Sequence, residues 1–245
     1  MNEALALPTR KDEAYRYADL AALETVWPLT PGAIRVAAGQ ADALSIVTDG
    51  SGAEVHDIEI VLEDGAKFDL HVLDCGAGYG RIGVSVTLGK ASEFNLGAAQ
   101  VAGSGQVLEV VTNVLHAEPD AVSRQIVRSV AGNGSVVNYL GKVEVARGAD
   151  GTDGEQSVRA MLLDRTATAN ARPELEIYAD DVKCAHGCAV GELDAQGLFY
   201  LQSRGLTPPE AKKLMLQAFI AEAFIGAADE ERLTEAALKA LEALL

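Results

Sequence analysis

Between about residues 32 and 200 the apolar residues come in short runs, many alternating with polar ones: ALSIVTD, EVHDIEIVLE, KFDLHVLDC, GRIGVSVTL, QVLEVVTNVLH, SVVNYLGKVEVA and ELEIYADDVKC. Clusters of Gly, Asp, Asn and Ser separate them, among them TDGSG, AGSG, AGNG and ARGADGTDG. A side-chain period of two, broken by turn residues roughly every 8–12 positions, predicts many short strands. No helix-length periodic segment lies between them, so a βαβ alternation fits poorly. A sandwich, a barrel or a β-solenoid stays open, because no strict hexapeptide or nonapeptide repeat selects the solenoid.

The two ends differ in texture. In the first 30 residues, Arg10 to Leu20 (RKDEAYRYADL) suits a brief helix or turn, and Pro28 and Pro31 then interrupt regular structure. Near the other end, Thr207-Pro208-Pro209-Glu210 has the form of an N-cap, a proline at the first helical position and a capping-box glutamate. Ala211, Leu214, Met215, Ala218 and Phe219 follow at the spacing of one helix face, and Gly226 is expected to end that helix. Asp229, Glu230 and Glu231 suit the positive end of a second helix, whose stripe is Leu233, Ala237, Leu241 and Leu244. Such helices can pack on the β domain or dock another subunit. The expected division is a short N-terminal segment over 1–30, a β core over 31–200 and a helical part over 201–245.

Composition narrows the function classes. Glycine reaches 24 residues while aromatics are 5% of the chain, which suits strands and tight corners better than a helical bundle. Asp and Glu outnumber Lys and Arg 36 to 20, for a net charge of −16. That surface repels phosphate backbones and anionic lipid, so neither nucleic acid nor membrane is expected as a partner. No run reaches the roughly 20 apolar residues of a membrane span, and the N-terminus lacks a signal-peptide pattern. The three cysteines give no disulfide framework. A soluble, cytoplasmic protein is expected.

One constellation concentrates chemistry: Asp180-Asp181-Val182-Lys183-Cys184-Ala185-His186-Gly187-Cys188-Ala189-Val190-Gly191. On a strand, Cys184, His186 and Cys188 project to one side, about 7 Å apart. Two thiols and an imidazole suit a soft metal or a cluster. A single strand cannot close a tetrahedral site, so donors from another strand or subunit are required. Val182 and Val190 continue the same face, and an ordinary buried row with Cys as a small hydrophobe is the competing reading. The other histidines are weaker candidates: His56 and His71 as solvated or edge residues, His116 as a strand-end or turn residue. Cys75 sits at a turn and reads as a buried thiol. GAGYG has no helix after it, so it makes no dinucleotide loop, and no Walker motif, nucleophile elbow or zincin helix is present.

Longer stretches carry a resemblance. GKVEVARGADGTDGEQSVRAMLL (141–163), RPELEIYADDVKCAHGCAVGELDAQGLFYLQSRGL (172–206) and PEAKKLMLQAFIAEAF (209–224) together resemble the C-terminal core of the SufB/SufD family of iron–sulfur cluster assembly scaffolds. LHAEPDAVSRQIVRSVAGNGS (115–135) extends the likeness, and RKDEAYRYADL is similar to the family's N-terminal signature with Tyr15 where Trp is usual. The resemblance implies a right-handed parallel β-helix with flanking helices and no catalysis. It implies pairing with a SufB-like scaffold and binding of a SufC-like ABC ATPase through the C-terminal helices, with no permanently bound cofactor but a transient iron–sulfur cluster shared with SufB. Cys184-Ala185-His186-Gly187 follows the SufD pattern, and the Gln-Cys-Asp motif of SufB is absent. His186 falls on the family's interface histidine, Cys184 shares its motif, and Cys188 is a weaker candidate. Both His186 and Cys184 are candidate metal ligands. Tyr200, Arg204, Gly205, Ala211, Leu214 and Phe219 map to the ATPase-docking region. The chain is shorter than usual members, which implies a reduced N-terminal helical region. Without its partner, the scaffold is expected to form a homodimer through its β edge. Two alternatives remain: a homo-oligomeric SufB-like scaffold that nucleates the cluster itself, and a β-helix enzyme acting on carbohydrate.

Overall fold

The computed structural model describes residues 6–76 and 78–245. Among these residues twelve strands form two six-stranded parallel sheets. One holds β1 (Gly32–Val36), β3 (Ala53–Leu62), β5 (Tyr79–Leu88), β7 (Val107–His116), β9 (Val136–Val145) and β11 (Thr168–Ile177) in that order. The other holds β2 (Ala41–Thr48), β4 (Lys67–Asp74), β6 (Glu93–Ala102), β8 (Val122–Ala131), β10 (Asp153–Leu162) and β12 (Lys183–Gly191). Successive strands alternate between the sheets, and each pairs with the strand one coil earlier. The chain is therefore a β-solenoid.

Inward-facing side chains stack in columns. Ile34, Ile60, Val86, Val114, Val143 and Leu175 form one across the first sheet, and Phe68 lies over Phe94 in the second. Residues meeting between coils lie 26, 28, 29 and 32 positions apart in different coils, so no fixed sequence repeat exists to be found. The corners also stack. Gly65, Ala91, Asp120 and Gly151 each adopt positive φ and each donates its N–H to a carbonyl of the next coil. That conformation favours Gly, Asn and Asp, which explains the turn clusters.

The outer faces of the two sheets are covered differently. A 3-10 turn at Glu13–Tyr15 and helix α1 (Leu20–Glu24, capped by the Asp19 carboxylate) lie over the first sheet, where Leu23 and Ala18 pack with Tyr79. Beneath them Arg81 donates to the Glu109 carboxylate at 2.9 Å and to the Ala14 carbonyl at 2.9 Å, and stacks on the Tyr15 ring. The Tyr79 hydroxyl (2.7 Å) and the Asn138 amide (3.1 Å) also donate to Glu109.

Helices α2 (Ala195–Ser203), α3 (Pro208–Ala221) and α4 (Glu230–Leu244) follow the last strand, with a 3-10 turn at Glu222–Phe224 between α3 and α4. Leu216, Ile220, Ala223, Phe224, Leu233, Ala237 and Leu241 pack on Leu73, Ala99, Val101 and Val130 of the second sheet. Arg128, 1% exposed, fixes this join through two bonds of 2.8 Å to Glu222. The backbone comes closest at Gly97: a Cβ there would overlap the Ala223 carbonyl oxygen and lie 2.7 Å from His71 Cδ2.

Several expectations change in detail. Helical structure begins at Ala195, not 201, and the β core ends at Gly191. Helix α3 ends at Ala221, before Gly226. The expected capping box is present, with Glu210 accepting from the Thr207 N–H at 2.8 Å. The α4 stripe packs as read, but the buried α3 face is Ala211, Leu216 and Ile220, while Leu214 and Ala218 point outward. Both sides of α3 are apolar enough that periodicity selects the wrong one; the sheet contact decides. Among the described residues no helix is long and apolar enough to cross a membrane.

Candidate functional site

β12 is the last strand of its sheet and β11 the last of the other, so the solenoid ends here on two open edges. Parallel edges of this kind present unpaired backbone N–H and C=O groups that template another chain. β12 pairs in register with β10, setting Cys184 beside Gly154, His186 beside Gln156 and Cys188 beside Val158. Gln156 and Val158 face the interior, so the expected common face of Cys184, His186 and Cys188 is the inward face of the final coil. Among the described residues no further coil covers it: Cys184 is half-buried and packs against the core, while His186 and Cys188 are exposed. The Cys188 thiol lies 3.9 Å from the Ala171 carbonyl oxygen. Burial pushes both thiols above the ordinary thiol range, so each must lose a proton before it can ligate. Among the described residues no three His, Cys, Asp or Glu side chains converge to hold a metal ion.

The column behind His186 changes character along the axis. Leu44, Leu70 and Leu96 give way to Gln125, Gln156 and finally His186. From the opposite sheet Thr112 donates to Gln125 Oε1 at 2.9 Å, Tyr139 to the same oxygen at 3.3 Å, and Gln156 Nε2 donates to the Tyr139 hydroxyl at 3.0 Å. Gly141 leaves the space, since a Cβ there would overlap the Tyr139 hydroxyl and lie 2.7 Å from Gln156 Nε2. Gln156 Oε1 and Gln125 Nε2 are buried without a hydrogen-bond partner among the described residues. An unpaired buried amide group costs about 1–3 kcal/mol. No sequence signal singled out Gln125, Tyr139 or Gln156, because only the register brings them together.

The helical candidates separate by exposure. Tyr200 (56% exposed), Arg204, Gly205 and Leu214 (46%) face outward, and the Arg204 guanidinium lies 5.2 Å from the Tyr200 ring centre. Phe199, 74% exposed, joins this surface and was missed in the sequence. Gly205, Leu206, Glu210, Lys213, Leu214 and Gln217 line a shallow groove of about 390 Å³. Ala211 is fully buried and Phe219 is half-buried beneath Arg128.

The remaining histidines do not join the row. His56 is partly exposed beside Glu54 as expected. His71 is not solvated: at 6% exposed it lies beneath the C-terminal helices, whose covering of β4 no local pattern announces. His116 does end its strand, but inside the core, bonded to Ser123 at 2.9 Å, and burial pushes its pKa down to about 4. Cys75 follows β4 beside the helices, its thiol pushed up by burial to about 12.

The structure is thus a two-sheet parallel solenoid that carries the Cys184, His186 and Cys188 row on its open final coil. The SUF system FeS cluster assembly SufBD core domain matches residues 38–219, and the chain belongs to this family. It is 31% identical over 176 residues to the iron-sulfur cluster assembly protein SufD of Escherichia coli, covering 71% of this chain and 41% of that protein. It is 32% identical over 159 residues to Protein ABCI7, chloroplastic, of Arabidopsis thaliana (64% of this chain, 34% of that protein). With an iron-sulfur cluster assembly SufBD family protein of Synechocystis it shares 29% identity over 175 residues (70% and 39%). The matched region thus spans between about a third and two fifths of these relatives' length.

Proposed function

We infer that this protein is a SufD-like scaffold that pairs with a SufB-like subunit through the open final coil and handles an iron–sulfur cluster as cargo there. The observation that carries this is the row Cys184, His186 and Cys188 at an uncapped solenoid end, in a chain of the SufBD family. The row offers soft donors but too few to close a site, which suits a cluster completed by donors of the opposing subunit. In this role His186 is the principal ligand or bridge, Cys184 assists and Cys188 contributes least. No cofactor is held permanently and no reaction is turned over by the chain itself. A SufC-like ABC ATPase docks on the outward surface of α2 and α3, through Phe199, Tyr200, Arg204, Gly205 and Leu214. Movement imposed there reaches the solenoid through the Arg128–Glu222 join. Without its partner the same edge accepts a second copy of the chain.

The test is co-expression with SufB-like and SufC-like partners, followed by size exclusion and iron and sulfide analysis. His186→Ala is expected to retain the complex and lose most of its cluster. If the variant keeps its cluster, the 184–188 row is structural; if no complex forms, the partner assignment is wrong.

A further inference from the structure

Gln156 is 1% exposed and held from one side only. Its Nε2 donates to the Tyr139 hydroxyl at 3.0 Å, and that hydroxyl is itself fixed by Gln125 and Thr112. The amide plane is therefore set from inside the solenoid, with Gly141 leaving the room it needs. The other end of the amide, Oε1, is buried and lacks a hydrogen-bond partner among the described residues. On β12 the register neighbour of Gln156 is His186, on the same inward face. Adjacent strands lie about 4.8 Å apart, so an imidazole turned inward from His186 is within hydrogen-bond reach of that oxygen.

We propose that Gln156 is a positioning residue for His186: its Oε1 accepts one ring N–H, which fixes the neutral tautomer and leaves the lone pair of the other ring nitrogen directed out of the open coil. The two needs match. A buried carbonyl oxygen lacks a donor, and an imidazole that is to ligate iron must keep its proton on the nitrogen away from the metal. Thr112, Gln125 and Tyr139 form the frame that holds the amide at the required angle. This goes one step deeper than the cluster-facing role assigned to His186 and rests on that role for its purpose, though not for its geometry.

The experiment is nitrogen NMR of the isolated chain with labelled histidine, reading the tautomer ratio of each ring. The chain has only 4 histidines, and His186→Ala identifies the signal. In the wild type the His186 ratio is expected to be displaced from that of the same residue in the urea-unfolded protein. Gln156→Leu should return it to the unfolded value, while Gln156→Glu, which keeps an acceptor, should preserve the displacement. A purely structural role for Gln156 would change the melting temperature of these variants without changing the tautomer of an exposed ring. If Gln156→Leu does not fold, Tyr139→Phe answers the question, since it removes only the hydroxyl that orients the amide; its His186 ratio should relax toward the unfolded value. An unchanged ratio in Gln156→Leu, or in Tyr139→Phe where the first is unfolded, overturns the proposal. Failure of cluster loading in the co-expressed complex with the tautomer effect intact would count against the pairing function alone. With both in place, Gln156→Leu is expected to weaken iron retention about 10- to 100-fold.

Discussion

Glu109→Ala is expected to destabilise the protein by about 4 kcal/mol, a fall in melting temperature on the order of 10 °C. Glu109 is 1% exposed and accepts from Arg81, Tyr79 and Asn138, three residues on β5 and β9, the two strands that flank its own. Removing the carboxylate leaves the Arg81 guanidinium, with a side chain only 5% exposed, buried without its counter-charge. An uncompensated buried charge costs far more than the intact pair contributes. The damage should be local first, because Arg81 also holds the N-terminal segment through Ala14 and Tyr15. Proteolysis near residues 13–24 should precede global unfolding. A double change, Arg81→Met with Glu109→Leu, removes both charges and should recover most of the loss in a urea titration. If the double variant is as unstable as the single one, the lost hydrogen bonds matter more than the stranded charge.

Gly97→Ala should produce the second large effect, about 3 kcal/mol, for a steric reason. The added methyl would overlap the Ala223 carbonyl oxygen and press on His71, and neither is the free end of a flexible side chain. The 3-10 turn must lift, loosening Phe224 and the Arg128–Glu222 bonds together. The expected signature is raised protease sensitivity between residues 193 and 230 while the sheets keep their far-ultraviolet signal. Unchanged sensitivity would mean that the helices are not anchored where Gly97 meets them.

The sequence made the strands and corners legible because each coil repeats the same two physical demands: an inward apolar column and left-handed corners suited to Gly, Asn and Asp. The solenoid itself was not legible from periodicity, because the coil length drifts and the pairing partner lies 26 to 32 residues away. The resemblance supplied that architecture. The Cys184–His186–Cys188 row could be read directly, since a period of two is a local property. What lies behind it could not: Gln156 becomes the neighbour of His186 only through a register that no local pattern encodes. The same limit hid the burial of His71, which depends on helices more than 100 residues later in the chain, and it turned the α3 stripe toward Leu214 and Ala218.

The pairing claim is tested most directly by hydrogen exchange on the isolated chain and on its complex with a SufB-like partner. Protection gained on binding should concentrate in residues 168–177 and 183–191, the two edge strands of the open coil. Protection confined to β1 and β2 at the opposite end, or to the outer faces of the sheets, would contradict it.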